Sequence, residues 1–402
     1  MRQAIDTSEE VLDDAAPATM REGFAINARA TYEDLIRLLL DRGDSQEALV
    51  YAARARQIGQ GRRNPHDVLP PLSRIPPSTS VVVMEVQPDG LALWLVAHDS
   101  IQTFRTRDRD IAARIAEVTR TLPSEKILQG LYELLVRSWI NQIPTGDRLL
   151  ISPPPALANV PFAALTDRYS RRSLVDDFAI EVIQDLSCVI DAPIKLEKTD
   201  RAVIVGDPAY HDLQRLPRTR VEAVAIAALY AHSKLLLEHD ATRQHVLSAL
   251  ANAEIFHFGG HAIVNDLAPE LSSLMLSAGD DSHDSRLYLH ELTAHRMPLK
   301  LVVLSGCSTA ARARNPRRPL SLARAFLQGG AGTVVGTLWP IPDDDASAFS
   351  TRFHESMSRG ETAAEAVREA QLEMKARGDG DLSWAAFCLL RAAAVPRGGA
   401  GK

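Results

Sequence analysis

The sequence predicts an α/β fold, a doubly wound and mostly parallel sheet with helices on both faces and a helical hairpin ahead of it. Three observations carry that expectation. Downstream of Asp200, short β-rich runs alternate with segments of helical period, the pattern of a parallel sheet covered on both sides. Those runs are apolar throughout rather than alternating, so both faces of each strand are buried. The 402-residue chain is 46% apolar and 24% charged, the balance of a folded protein long enough for two domains of ~150 residues. Wholesale disorder, collagen and a disulfide scaffold are excluded. Lys and Arg number 45 against 51 Asp and Glu, a net charge of −6 without a long single-sign block, so no direct nucleic-acid partner is expected. No apolar run approaches the ~20 residues of a membrane span. Met1 to Pro17 is acidic where a secretory leader would be basic and then apolar, so a cytoplasmic protein without membrane contact is expected.

Taken in order, residues 1 to 22 are polar and acidic and read as a weakly ordered lead-in. Leu35, Leu38 and Leu39 share one face of a helix over Tyr32 to Arg42; Gly43 stops it, and Asp44 or Ser45 caps a second helix to Gln57. This hairpin, with the small residues Ala48, Ala52 and Ala55, resembles one tetratricopeptide unit, and an array would need about three. Gly59 to Pro77 is rich in glycine, proline and arginine and reads as a linker with a boundary near residue 70. Thr79 to Glu85, Leu91 to Ala97 and Ser100 to Thr106 form an antiparallel meander turned at Pro88-Asp89-Gly90. Helices over Asp108 to Leu122 and Glu125 to Ile143 precede a strand at Arg148 to Ser152. The regular alternation then runs through strands at Ala202 to Val205, Leu235 to Leu237, Glu254 to Phe258, Lys300 to Leu304 and Thr333 to Leu338. Helices fall at Val221 to Ala231, Arg243 to Ala251 and Leu320 to Leu327. Helices at Asp344 to Ser358 and Thr362 to Arg377 and a strand at Ala385 to Leu390 close it, and Pro396 to Lys402 is expected to be mobile.

In open parallel sheets, functional groups gather just past the C-terminal ends of strands. Two strands end in reactive residues: Glu254-Ile255-Phe256-His257-Phe258 runs into Gly259-Gly260-His261-Ala262, and Leu301-Val302-Val303-Leu304 into Ser305-Gly306-Cys307-Ser308-Thr309. As neighbours ~4.8 Å apart they would set His261 beside Cys307. A free thiol titrates near ~8.5 and needs an adjacent base to be a good nucleophile at neutral pH. His261 would take that proton and return one to a leaving amine. Gly259, Gly260 and Gly306 let a substrate backbone approach, and the amides of Ala262 and Cys307 could donate to an oxyanion. Alone, each strand-end residue is more often structural than catalytic. Cys188 and Cys388 sit in apolar runs and are expected to be buried and inert, and His257 has a core or supporting role. The three cysteines show no CxxC spacing, and His257 and His261 lack a third ligand by spacing, so neither a metal nor another cofactor is expected.

With these residues in place, Pro153 to Leu390 resembles the CHAT domain, the caspase- and separase-like cysteine peptidases. The resemblance rests on His257-Phe258-Gly259-Gly260-His261-Ala262, Val302-Val303-Leu304-Ser305-Gly306-Cys307, Ser321 to Leu327 and Gly336-Thr337-Leu338-Trp339-Pro340. Leu149 to Pro153, Asn159 to Leu165, Val205-Gly206-Asp207-Pro208 and Ser383 to Phe387 add to it. It implies a caspase-like sheet, His261 as general base and Cys307 as nucleophile of a peptide-bond hydrolase. It also implies a non-catalytic caspase-like half over 71–200 and a catalytic half over 201–395, behind a helical appendage and linker over 1–70. The chain departs from the family in Ala262, where many members have glycine, and in Cys307-Ser308-Thr309-Ala310, where Cys-Glu-Thr-Gly is frequent. In resembling separases an acid in the stretch Pro342-Asp343-Asp344-Asp345 receives a basic substrate side chain. That makes Asp343 and Asp345 candidate substrate-binding residues together with Gly306, against the alternative that one acid caps the helix there. Bacterial relatives act in regulated proteolysis, including defence pathways.

The leading expectation is a cysteine endopeptidase acting on a protein or peptide substrate, activated by a protein partner or by processing. A catalytically silent interaction scaffold is the alternative. Nucleotide binding at Gly329, Gly330 and Gly332 is a third reading, disfavoured because that cluster follows a helix and precedes a strand. The basic run Arg312, Arg314, Arg317 and Arg318 reads as a solvated loop.

Overall fold

The chain begins with helices. A computed structural model describes residues 1–15, 18–57, 68–118, 123–265, 267–279, 285–294, 297, 299–311, 321–378 and 382–392. Helices α1 (Arg2–Ala15) and α2 (Ala18–Arg42) occupy the stretch expected to be a weakly ordered lead-in. Acidic residues of this stretch serve as ion partners: Arg54 of α3 reaches Asp6 at 2.7 Å and Glu9 at 2.5 Å, while Arg2 reaches Glu47 at 2.8 Å. Ile5 is fully buried among Tyr32, Leu39 and Leu49. The expected hairpin is the pair of α2 and α3 (Ser45–Gln57), with Gly43 at φ +83° where only glycine turns freely. Its buried face covers Val81, Val83, Trp94 and Leu150 of the sheet. Arg56 of α3 is buried 3.3 Å from Glu85 and donates to the carbonyl of Met84.

The meander forms as expected from β1 (Thr79–Gln87), β2 (Gly90–Ala97) and β3 (Ser100–Arg107). Helices α4 (Ile111–Val118) and α5 (Glu125–Leu135) follow, then β4 (Arg148–Ser152). The helix expected to reach Ile143 ends at Leu135, and the chain continues through a 3-10 turn at Ile140–Gln142 while the buried Trp139 donates to the Leu135 carbonyl at 2.6 Å. A short helix α6 (Leu174–Asp177) leads to β5 (Ala179–Ile183), a strand the sequence reading did not anticipate.

Next come β6 (Arg201–Pro208), α7 (Pro217–Ala227), β7 (His232–Glu238), α8 (Arg243–Leu250) and β8 (Ile255–Gly259). A small second sheet joins β9 (Ala262–Ile263), β10 (Ser273–Met275) and β11 (Arg286–Tyr288), followed by α9 (Leu289–Ala294). Strand β12 (Leu301–Leu304), α10 (Leu322–Gln328), β13 (Thr333–Thr337), α11 (Asp343–Ser358), α12 (Ala363–Ala376), α13 (Ser383–Ala386) and β14 (Phe387–Arg391) complete the order. The basic run from Arg312 to Arg318 and the C-terminal tail lie outside the described residues.

One sheet of 11 strands crosses the molecule in the order β3-β2-β1-β4-β5-β14-β13-β12-β8-β6-β7. Two parallel blocks run in opposite directions: β1, β4, β5 and β14 one way, and β13, β12, β8, β6 and β7 the other, meeting at the antiparallel pair β13–β14. A buried ion cluster crosses the β4–β5–β14 seam. Glu181 of β5 lies between Arg148 of β4 at 2.5 Å and Arg391 of β14 at 3.1 Å. Burial alone would raise the Glu181 carboxyl, and the two guanidinium groups outweigh it and hold it below its ordinary range.

Candidate functional site

Strands β8 and β12 are parallel neighbours with Phe258 opposite Leu304. His261 and Cys307 each follow those residues by three positions, so both leave the sheet at one rim. The loops touch: the Ser305 amide donates to the Phe258 carbonyl at 2.9 Å. A Cβ at Gly306 would lie 2.9 Å from the Gly260 oxygen and 3.2 Å from the Ala262 methyl, closer than side chains tolerate, so this approach requires glycine. The three site residues Gly306, Ala262 and His261 are thereby brought against the segment that carries Cys307.

The cysteine loop is held from the other side by β13. Thr337 Oγ1 donates to the Gly306 carbonyl at 2.7 Å, the Thr337 amide donates to Thr309 Oγ1 at 3.1 Å, and the Ala310 amide donates to the Thr337 carbonyl at 2.9 Å. Gly336 permits that contact, since a Cβ there would meet Thr309 Oγ1 at 2.9 Å. Ser308 sits at φ +55°, a left-handed conformation uncommon for a side-chain-bearing residue, directly after an exposed Cys307.

The histidine ring is oriented by two residues that sequence reasoning missed. His261 Nε2 lies 2.7 Å from the backbone oxygen of Gln214. A carbonyl only accepts, so Nε2 carries the proton and Nδ1 is left with the lone pair that can take one. The His261 amide donates to the Tyr210 hydroxyl at 3.0 Å, and the two rings are 5.0 Å apart. A Cβ at Gly260 would lie 2.6 Å from that hydroxyl. Both partners belong to the loop after β6. Since β6 pairs with β8, that loop shares the rim, and strand order is the only signal that could have found them.

Two amides are free for a ligand. Met275 N–H donates to the His261 carbonyl at 2.9 Å, so Ala262, opposite Leu274, occupies the alternate position whose N–H points away from β10. The Cys307 amide donates to no acceptor among the described residues.

Beneath this rim lies a polar layer whose Glu222, His257 and His354 are buried. His257 of β8 places Nε2 2.9 Å from the Glu222 carboxylate of α7 and Nδ1 3.2 Å from His354 Nε2 of α11. The Tyr230 hydroxyl lies 2.7 Å from His354 Nδ1. Burial, reinforced by His257, pushes His354 well below its ordinary value, so the ring is neutral and Tyr230 donates to it. His257, expected to have a core or supporting role, is fully buried in the core.

Helix α11 begins with Asp343, Asp344 and Asp345. Burial, then the charge of Glu222, raises the Asp343 carboxyl, which also acts on Tyr210. Asp344 pairs with Arg218 of α7 at 2.6 Å, and Asp345 faces the opposite side, toward α12 and α13. Burial pushes Cys188 up to about 12, and Cys388 rises to about 12 although its residue retains some surface. No group of three or more metal-ligating side chains occurs among the described residues, and no described helix is long and apolar enough to cross a membrane.

A sequence model of the CHAT domain matches residues 125–392, two thirds of the chain. Human tetratricopeptide repeat protein 28 is 25% identical over 325 aligned residues, covering 65% of this chain and 13% of the relative. The mouse protein of the same name is 26% identical over the same span; the chain thus matches about an eighth of these curated relatives. Among solved structures, Saccharomyces cerevisiae separase in its securin complex superposes with a TM-score of 0.62 at 12% identity, over 96% of this chain and 37% of that one. The shared fold is therefore that of separase.

Proposed function

The chain belongs to the CHAT domain family, and from that premise we propose that it is a cysteine endopeptidase with a His261/Cys307 dyad. The observation that carries the reading is the tautomer of His261: its Nε2 proton is committed to Gln214, so its Nδ1 lone pair is the ring's free base. Cys307 leaves the neighbouring strand at the same rim and is exposed.

In the proposed reaction, the Cys307 Sγ proton passes to His261 Nδ1 as sulfur attacks the substrate carbonyl carbon. The oxyanion of the tetrahedral intermediate accepts from the amides of Ala262 and Cys307. Collapse breaks the C–N bond, and His261 gives its proton to the leaving amine, which departs with a thioester left on Cys307. His261 then takes a proton from water, hydroxide adds to the thioester carbonyl, the C–S bond breaks to release the acid product, and the departing thiolate of Cys307 takes the proton back from His261. Gly306 leaves room for the substrate backbone, and Asp343, near Tyr210, would receive a basic side chain. The chain would divide its work between a helical appendage and linker over 1–70, a non-catalytic half over 71–200 and a catalytic half over 201–395. A protein partner or processing would control it, as securin accompanies the separase structure, at a cytoplasmic site.

Alkylation rates of Cys307, Cys188 and Cys388 against pH, in wild type and in His261→Ala, test the dyad without a substrate. Faster reaction of Cys307 at neutral pH, lost in His261→Ala, is the expected result. Equal rates with and without His261 would favour the interaction scaffold, for which Ala262 is the best sequence support.

A further inference from the structure

We propose that the seam between the two halves of the sheet carries a second substrate subsite, centred on Asp345, that takes a basic side chain of a bound peptide. The inference deepens the peptidase reading and rests on it for the peptide ligand, but its own evidence is a pocket. That pocket, of about 550 Å³, has an apolar floor of Leu128, Met374 and Trp384 and is reached by Asp345 from α11. Its volume is in the range of cavities that hold a small ligand or a side chain.

Strand direction puts the pocket on the rim that carries Cys307. Because β14 runs antiparallel to β13, the N-terminal ends of β14 and β5 face the same way as the C-terminal ends of β12 and β13. Ser383 and Trp384 directly precede β14, Ser173 stands ahead of β5, and Asp345 follows β13, and all four line the pocket.

Among the described residues that line it, the charges are committed, with one exception. Arg171 pairs with Glu125, Lys375 with Asp176 at 2.7 Å, and Arg377 with Glu373 at 3.4 Å. Asp345 has no hydrogen-bond or ion-pair partner among the described residues. The uncommitted charge is thus negative and stands in a pocket lined by Leu128, Met374 and Trp384, where Lys375 already lies over the Trp384 ring at 5.4 Å. A lysine or arginine side chain matches the rest, an apolar stem for Leu128 and Met374 and a cationic head for the carboxylate.

Helix geometry sets the spacing. Asp343 and Asp345, two residues apart at about 100° per residue, point to nearly opposite sides of a helix ~10 Å across. One stands beside Tyr210 and the His261 loop, the other in the seam pocket. An extended peptide advances ~3.3 Å per residue, so basic residues three positions apart would reach both carboxylates.

The test is binding to the full chain carrying Cys307→Ala, which blocks turnover. Fluorescent peptides with two arginines three positions apart, with one arginine, and with none are titrated by anisotropy. The second arginine is expected to tighten binding at least fivefold. Asp345→Asn should abolish that advantage, and Asp344→Asn, the same charge change in the same helical turn but paired with Arg218 elsewhere, should retain it. The inference is overturned if the second arginine adds nothing, if Asp345→Asn and Asp344→Asn behave alike, or if no peptide binds. The alkylation experiment decides the dyad separately. A reactive Cys307 with no second-arginine advantage sinks the subsite alone, and an advantage with an unreactive Cys307 sinks the peptidase reading alone.

Discussion

The two parallel blocks of the sheet are built from equally apolar strands and end them differently. In the N-terminal block β4 runs into Pro153-Pro154-Pro155, residues with fixed φ and no amide to offer. In the other block β8 runs into Gly259-Gly260 and β12 into Ser305-Gly306, where two loops come close enough that a single methyl at 306 would meet the Gly260 oxygen at 2.9 Å. Polar contacts differ as well. In and beside the first block Glu181 lies between Arg148 and Arg391, and Arg56 pairs with Glu85. In the second, polar contacts orient His261 and stop short of its Nδ1. The thiols repeat the contrast, with Cys188 buried and pushed up to about 12 and Cys307 exposed. The two blocks therefore differ at their strand ends more than in the sheet that carries them.

The comparison can be broken hardest at the seam. Glu181→Ala leaves Arg148 and Arg391 buried without their carboxylate, and should cost about 3–5 kcal/mol in urea unfolding. Cys307 alkylation per folded molecule should be unchanged, because the cluster supports the fold and not the rim.

Gly306→Ala makes the opposite cut. Overpacking against Gly260 and Ala262 should cost about 1–3 kcal/mol and should slow Cys307 alkylation by roughly tenfold, the rate expected to change with a loss of alignment worth about 1.4 kcal/mol. Alkylation of Cys188 after unfolding serves as the internal reference, and an unchanged Cys307 rate would show that the close approach is irrelevant to the site.

The buried layer predicts a pH dependence. His354 is held neutral in the folded state, whereas in the unfolded chain it protonates near 6.5. Below that pH the unfolded state binds the extra proton, so stability is full above 6.5 and falls as the pH drops, by about 1.4 kcal/mol per unit. Urea midpoints between pH 7 and pH 5 measure the slope, and His354→Gln should flatten it.

The smallest effect is expected at Asp344→Asn. The pair with Arg218 is exposed, so its loss should change stability by about 1 kcal/mol or less. A larger loss would mean that the α7–α11 contact, rather than the buried histidine layer, holds the acidic helix in place.

Much of this was legible in the chain. Apolar runs of four to eight residues announced β1, β2, β8, β12 and β13, because a strand buried on both faces has no room for polar side chains. The Gly-Gly-His and Ser-Gly-Cys strand ends announced the rim, because only reactive residues flanked by glycine suit a close, exposed approach. Glu9 misled, since an acidic stretch looks solvated until Arg54 is found opposite it. The strand at Ala179–Ile183 was hidden by Glu181, whose polarity is tolerated only because two arginines from other strands meet it.

The sequence by itself determined most of the strands and helices of the sheet and the placement of one cysteine and one histidine just past strand ends, since local period and glycine placement encode these. Only the tertiary structure decided the tautomer of His261, the part of Tyr210 and the pocket at Asp345. Each depends on which strands are neighbours and which way they run: the loop after β6 reaches His261 because β6 lies beside β8. The seam pocket joins the rim because β14 turns antiparallel to β13. Strand order is a long-range choice made by the packing of the whole sheet, and no local pattern of residues records it.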